Sequence, residues 1–320
     1  MEKTLLTHRK LTLNERTSRK GIWFVLPFVI LYAVFNLFPL LYTLYLSFYS
    51  WDGIGTKAFV GISNYLKIFK ADRLFWTSFK NVFLIVIGYL PVTLLLAFVV
   101  AVLLYSKNLK LRRTFQTCMF LPYVVVPVAV GMLFSMLFGW QSGTVNALLM
   151  KLHIISEPID WLGSQTYARG VVILLQIWKT FGYVTTLYLS ALTSLPSDVM
   201  DAAAIDGCKF KNLLFHVILP MLKEITMFIV ITTLIDGLQL FDAVKVLFTA
   251  GNTGAAIGGP GRTCLTPVWY LYYTAFGSSA TRNFGYASAI SYVLFAVIML
   301  FSVIVMIPNL RSVKKDRRQQ

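Results

Sequence analysis

Residues 198–225 read DVMDAAAIDGCKFKNLLFHVILPMLKEI. Just ahead of them, Pro196 and Ser197 form a helix-start signal, with Ser197 placed to cap the first free N–H groups. Asp198 and Asp201 follow in the first turns, where the helix dipole favours negative charge, and Gly207 reads as a C-terminal stop. The spacing predicts a helix of about two and a half turns, too short to stand alone in water. Ala202, Ala203 and Ala204 leave part of its surface thin, the shape of a helix that can lie deep in a groove of another protein. Beyond it, FKNLLFHVILPML at 210–222 is apolar enough to pack beneath a bilayer, and Pro220 interrupts it. An amphipathic connector with no partner is the other reading these residues leave open.

The rest of the chain says where this stretch lies. Of 320 residues, 57% are hydrophobic and 13% charged. The mean hydropathy is +0.71, which a soluble domain rarely reaches because its surface needs more charge. The chain reads as an all-α integral membrane protein. Its net charge of +16 is concentrated in the tails and in short gaps between apolar runs, so a nucleic-acid face is excluded. Cys118, Cys208 and Cys264 fall in three different settings, and His8, His153 and His216 are dispersed, so neither a disulfide framework nor a metal site is implied. The first apolar run, 22–48, is too long for a signal-peptide core and is read as retained.

Six segments supply the roughly 20 apolar residues that a spanning helix needs: 22–48, 82–105, 115–138, 170–192, 225–244 and 286–307. The alternate connections that include both tails and the 193–224 loop carry 18 Lys and Arg against 10 in the others, which places both termini in the cytoplasm. The expected organisation is a basic tail at 1–21, a six-span domain at 22–310 with an inward loop at 193–224, and a second basic tail at 311–320. The outward connections, 49–81, 139–169 and 245–285, are rich in Trp, Tyr and Gly and are expected to form a folded cap. Within the last, GNTGAAIGGPG at 251–261 reads as a flexible loop.

Polar residues inside spans are costly and usually face a bundle interior or a water-filled path. In the fourth span Gln176, Lys179, Tyr183 and Thr186 fall at helical spacing, and in the fifth Thr232, Asp236 and Gln239 do, opposite an apolar stripe of Leu234, Leu238 and Phe241. Both stripes fit the lining of a translocation path. The alternative is an interspan pair of Lys179 with Asp236 that holds the bundle together. The chain has no G-x-x-x-x-G-K-[ST] phosphate loop, so it is not expected to hydrolyse ATP itself, and no nucleophile with its base or metal-ligand spacing is present to suggest a catalytic residue.

Asp201, Ala202, Ala203, Asp206, Gly207 and, after nine residues, Val217, Leu219 and Pro220 resemble the EAA loop of permease subunits of binding-protein-dependent ATP-binding-cassette importers. The departures are Asp201 for Glu and Val217 for Ile. FVGISNYLKIF at 59–69, GTVNALL at 143–149, DWLG at 160–163 and LTSLPSDVMDAAAIDG at 192–207 are similar to the carbohydrate, maltose-type branch, in the expected order along nearly the whole chain. The resemblance implies a type I importer permease of six spans, carrying a sugar across a bacterial or archaeal cytoplasmic membrane. It further implies a second homologous permease, a cytoplasmic ATPase dimer that binds ATP and Mg, and an extracytoplasmic solute-binding protein. In the family the EAA glutamate pairs with an arginine of the ATPase, which makes Asp201 the expected contact, with Asp206, Leu219 and Pro220 in the same coupling loop. The other classes are an ion-coupled secondary transporter using Lys179 and Asp236, and a membrane enzyme or scaffold, which lacks a catalytic constellation.

If the loop couples a distant energy source to transport, Gly207→Val inserts normally but loses solute uptake, because glycine is expected to supply a positive φ there. Uptake at the wild-type rate by a membrane-inserted variant would count against the coupling role.

Overall fold

The computed structural model describes residues 23–105, 111–196, 198–199, 208–209, 212–250, 256–277 and 282–316, with side chains through 307. The segment 200–207, with Asp201, Ala202, Ala203, Asp206 and Gly207, lies outside the described residues, as does Ser197. In chain order the elements are α1 (Trp23–Ser47), a two-stranded antiparallel hairpin of β1 (Tyr49–Ser50) and β2 (Ala58–Phe59), α2 (Ser63–Lys70) and α3 (Arg73–Tyr105). Then come α4 (Arg112–Val124), α5 (Pro127–Leu137), α6 (Thr144–Lys151), α7 (Gln165–Thr193), α8 (Leu213–Met221), α9 (Lys223–Leu238), α10 (Asp242–Thr249), α11 (Pro267–Phe276) and α12 (Phe284–Asp316).

Four helices, α1, α3, α7 and α12, are each long and apolar enough to cross a membrane, and the bent pairs α4/α5 and α8/α9 raise the number to as many as six. The chain is thus a multi-pass membrane protein. The bent pairs correct two of the expected spans. The third, expected as one helix over 115–138, is two helices meeting at 96°. Pro127 forces Val126 into extended backbone, ψ 129°, and Val125 before it has ψ 137°, so the helix cannot run through. The fifth, expected over 225–244, ends at Leu238, and a separate α10 begins at Asp242, whose carboxylate suits a helix start. At the other end of α9, a 63° bend at Leu222 follows Pro220 by two residues.

The most extensive helix contact is α3 against α7; α4 also packs on α7, α10 on α5, and α12 on α1 and α11. Glycine makes two of these approaches possible. A Cβ at Gly88 of α3 would stand 2.5 Å from Ile173 of α7, and one at Gly182 would overlap the main-chain carbonyl of Met119 in α4. α3 runs through two separate apolar cores. One gathers Phe75, Ile85 and Tyr89 with Leu175, Leu247, Trp269 and Ile290. The other gathers Ala97, Ala101 and Leu104 with Val184, Leu192, Ile218 and Ile229, at the end that carries the 193–224 connection. α1 is different: only Leu46 and Ser47 are buried, and most of the rest of its length is exposed and apolar.

The connections at the hairpin end fold into a cap. Asn64 of α2 donates to the carbonyls of Ser47 and Tyr49 at 2.8 and 2.9 Å, tying α2 to the end of α1. The fully buried Asn146 of α6 donates to the carbonyls of Trp140 and Ile159 and accepts from Trp161 Nε1 at 2.7 Å, which joins the GTVNALL and DWLG stretches. Of the 251–261 stretch expected to be flexible, 251–255 lie outside the described residues; Gly258 and Gly259 are buried, and Gly259, at φ 69°, lies against the Phe248 ring in a conformation few other residues adopt.

Because Gly182 sits against a carbonyl that has little freedom to retreat, Gly182→Val is expected to lower stability by about 1–3 kcal/mol. The thermal midpoint of the purified protein in detergent would fall, whereas Gly170→Val, where no atom lies within 4 Å of the added Cβ, leaves it nearly unchanged.

Candidate functional site

The α4–α7 crossing builds the central part of the site. With no side chain at Gly182, the last turn of α4 closes on α7 and lays the Tyr123 ring on the Tyr183 ring, 4.3 Å between centroids and 9° from parallel. Tyr123 is 38% exposed and Tyr183 half-buried, so the stack has an open face. Lys179, one turn before Tyr183, is also half-buried. The Thr186 hydroxyl is spent on the carbonyl of Gly182, at 2.9 Å. Gln176 is fully buried, and neither atom of its amide has a hydrogen-bond partner among the described residues. The expected stripe on α7 therefore divides: Lys179, Tyr183 and Thr186 reach the partly open side, and Gln176 points into the packed interior.

Opposite, α9 is pinned to α3 by Tyr89, whose hydroxyl donates to the Thr233 carbonyl at 2.8 Å. Gly237 makes room for that phenol, since a Cβ there would stand 2.6 Å from it. Asp236 is exposed and adjoins Gly237, the residue that receives the Tyr89 hydroxyl. Gln239 is exposed at the end of α9, while the Thr232 hydroxyl bonds back to the carbonyls of Phe228 and Ile229. Lys179 and Asp236 form no ion pair with each other, so the interspan pairing considered from sequence is absent. Just past α9, Lys245 lies over the Tyr272 ring at 3.9 Å.

Towards the cap, two polar clusters fix the helix ends around this face. Asp72, at the start of α3, accepts from Tyr270 of α11 at 2.6 Å and from Tyr286 of α12 at 2.5 Å, and Lys67 sits over the Tyr286 ring at 4.6 Å. Asn81 donates to the carbonyl of Arg262 at 2.7 Å and accepts from Arg169, which also reaches the Thr263 carbonyl. Beside them, burial pushes the Cys264 thiol up to about 11, so it is protonated at neutral pH and acts as a small apolar side chain. An open cavity of about 800 Å³, bordered by Ser135, Trp140, Phe248 and Gly261, lies in the cap. At the opposite end, a cavity of about 560 Å³ bordered by Ser190, Ser194, Met221 and Glu224 separates the end of α7 from the α8/α9 bend. Leu219 and Pro220 are exposed on α8 nearby.

Sequence reasoning passed over Tyr123, Asp72, Tyr270, Tyr286 and the Asn81–Arg169 pair. Tyr123 carried a signal: in LPYVVVP, Pro122 and Pro127 bracket it, and two prolines so close together mark a break that presents the intervening side chains. Asp72 is the only acidic residue between positions 53 and 156, which singles it out without naming its partners.

A multi-pass helical protein with a partly open polar and aromatic face between bent helices fits a membrane transport component. A sequence profile of the family described as binding-protein-dependent transport system inner membrane component matches residues 93–312, and the chain belongs to that family. It is 33% identical over 298 residues to the lactose transport system permease protein LacF of Rhizobium radiobacter, covering 93% of this chain and 96% of that one. The arabinooligosaccharides transport system permease protein AraP of Bacillus subtilis is 30% identical over 88% of this chain and 85% of its own. The trehalose/maltose transport system permease protein MalF of Thermococcus litoralis is 28% identical over 91% and 94%. Among solved structures, a bacterial ABC transporter involved in import of the acidic polysaccharide alginate has the same fold, with a TM-score of 0.76 at 18% identity over 93% of this chain and 99% of that one.

The Asp72 cluster gives a pH signature. Burial, and then the hydrogen bond to Asp72, raise the Tyr270 phenol above its ordinary value. A raised phenol contributes stability that is fully present below the free tyrosine value of about 10 and is lost as pH rises beyond it. The thermal midpoint is expected to decline above that pH, and Tyr270→Phe to shrink the decline; an identical pH profile in the variant would contradict the assignment.

Proposed function

We propose that the chain is the transmembrane permease subunit of an ATP-driven importer that moves a sugar or oligosaccharide across the cytoplasmic membrane of a bacterium or archaeon. The observation that carries this reading is the family membership, whose matched segment includes the 193–224 connection, together with relatives named for lactose, arabino-oligosaccharides and trehalose or maltose. In this reading the chain has six spans, the bent pairs counting as one each, with tails at 1–21 and 311–320 in the cytoplasm. It pairs with a second homologous permease, which covers exposed α1, and takes solute from an extracytoplasmic binding protein.

The face built by Tyr123, Lys179, Tyr183, Asp236 and Gln239 suits such a solute. Aromatic rings offer flat apolar contact to the C–H faces of a sugar, while a carboxylate, an amide and an ammonium exchange hydrogen bonds with hydroxyls that leave water. Gln176 stands behind this face, where a change of helix packing brings it to the path, and Thr186 and Thr232 border it with hydroxyls bonded back to their own helices. The chain itself binds no nucleotide. ATP and Mg sit on the separate ATPase dimer, whose closure is passed through the helix at 197–207, with Asp201 meeting an arginine of the ATPase, and through Leu219 and Pro220 on α8. The 63° bend between α8 and α9 then turns movement of that loop into movement of α9 and alternating access to the path. A secondary transporter relaying protons between Lys179 and Asp236 lacks the direct contact it requires.

Co-purification of the tagged chain from its native membrane, repeated with Asp201→Lys, tests the reading alongside uptake of a labelled sugar. An ATPase and a second permease are expected with the wild type, and the ATPase and uptake are lost in the variant. The chain recovered alone, still moving solute without ATP, would overturn it.

A further inference from the structure

The hairpin end carries five basic residues in 49–81, on the side that the charge count places outside, where such residues are disfavoured. Two are engaged with the protein. Lys57 donates to the Tyr42 hydroxyl at 2.7 Å and lies over the Trp51 ring, and Lys67 lies over Tyr286. Lys70, Arg73 and Lys80 are exposed. Of the two carboxylates in 49–81, Asp52 accepts from the Ile54 N–H of its own loop and Asp72 is turned inward onto Tyr270 and Tyr286.

Beside Lys70 and Arg73 runs an apolar groove of about 390 Å³ between α2, α3 and α12, walled by Tyr65, Phe69, Trp76, Phe79, Tyr292 and Leu300. Its two phenols turn their polar ends away. The Tyr65 hydroxyl meets Ser47 Oγ at 2.7 Å, and Tyr292 donates to the Leu40 carbonyl at 2.6 Å. The groove therefore offers no polar partner to an occupant. Tyr292 to Leu300 is about 12 Å of helix rise along the apolar part of α12, so the groove descends into the hydrocarbon layer rather than staying at the surface. Arg73 and Lys80 flank Trp76 on the same helical face, three residues before and four after it, and Lys70 adjoins Phe69. Lys70 and Arg73, with no acidic partner among the described residues, thus neighbour a slot lined by apolar surface.

We propose that this groove is a site for an anionic phospholipid, one acyl chain lying against Trp76, Phe79 and Tyr292 and the headgroup phosphate held by Lys70 and Arg73, with Lys80 beside it. Unpaired cations at a membrane surface attract anionic headgroups, and the depth and apolarity of the slot supply the chain contact. The lipid wedges α2 and α3 against α12 next to the Asp72 clamp.

The test exchanges the complete importer, with its partner subunits, into nanodiscs of phosphatidylcholine containing phosphatidylglycerol, and counts retained lipid by native mass spectrometry after detergent extraction. Wild type is expected to retain phosphatidylglycerol over phosphatidylcholine. The surface variant K70Q/R73Q should lose that preference, by roughly fivefold for each cation removed, and A296W, which fills the groove, should retain neither lipid. A photo-crosslinker at position 296 should capture lipid. Equal retention of the two lipids by wild type, an unchanged preference in K70Q/R73Q, or capture of a partner subunit at position 296 would overturn the proposal.

Discussion

Everything else in this chain is arranged around the seam between α3 and α7. Both helices are long, both contribute to both apolar cores, and their closeness depends on small residues at the crossing, with Gly88 seated against Ile173. α7 in turn receives α4 at Gly182, and α3 receives α9 through Tyr89 and Gly237. Within a bilayer, where apolar surface gains little by leaving lipid, such close backbone approach and buried hydrogen bonds are what hold helices together.

Between the two cores the seam changes character. On α3 the sequence passes Tyr89 and the buried Thr93, and on α7 it passes Gln176 and Thr180; both the Thr93 hydroxyl and the Gln176 amide lack partners among the described residues. Thr180 is satisfied by the Gln176 carbonyl at 2.7 Å. A buried side-chain amide is ordinarily completed by a hydrogen-bonding partner, a role that water fills in many protein interiors.

Much of this was legible in the sequence, and the reasons differ by residue. Apolar run length exposed the four long helices because the bilayer imposes that length. The polar stripe on α7 was legible because Lys179 is conspicuous among apolar neighbours. The breaks were not read correctly: Pro122 and Pro127 in the third expected span, and the turn at 239–241 in the fifth, interrupt hydropathy too briefly to show in a window of about 20 residues. Nor could the Asp72–Tyr270–Tyr286 cluster be foreseen, since its members are up to 214 positions apart and each is an ordinary residue alone. Gly182 was similarly silent, because its role depends on which carbonyl the fold brings to it.

The open polar face has a consequence for how the chain is made. Of the four long helices, α7 is the least apolar. Its Gln176, Lys179 and Tyr183 weaken its own partitioning from the translocon into lipid. α3 is synthesised earlier and is strongly apolar, and it makes the most extensive helix contact with α7. The membrane that receives the less apolar helix therefore already holds its main packing partner.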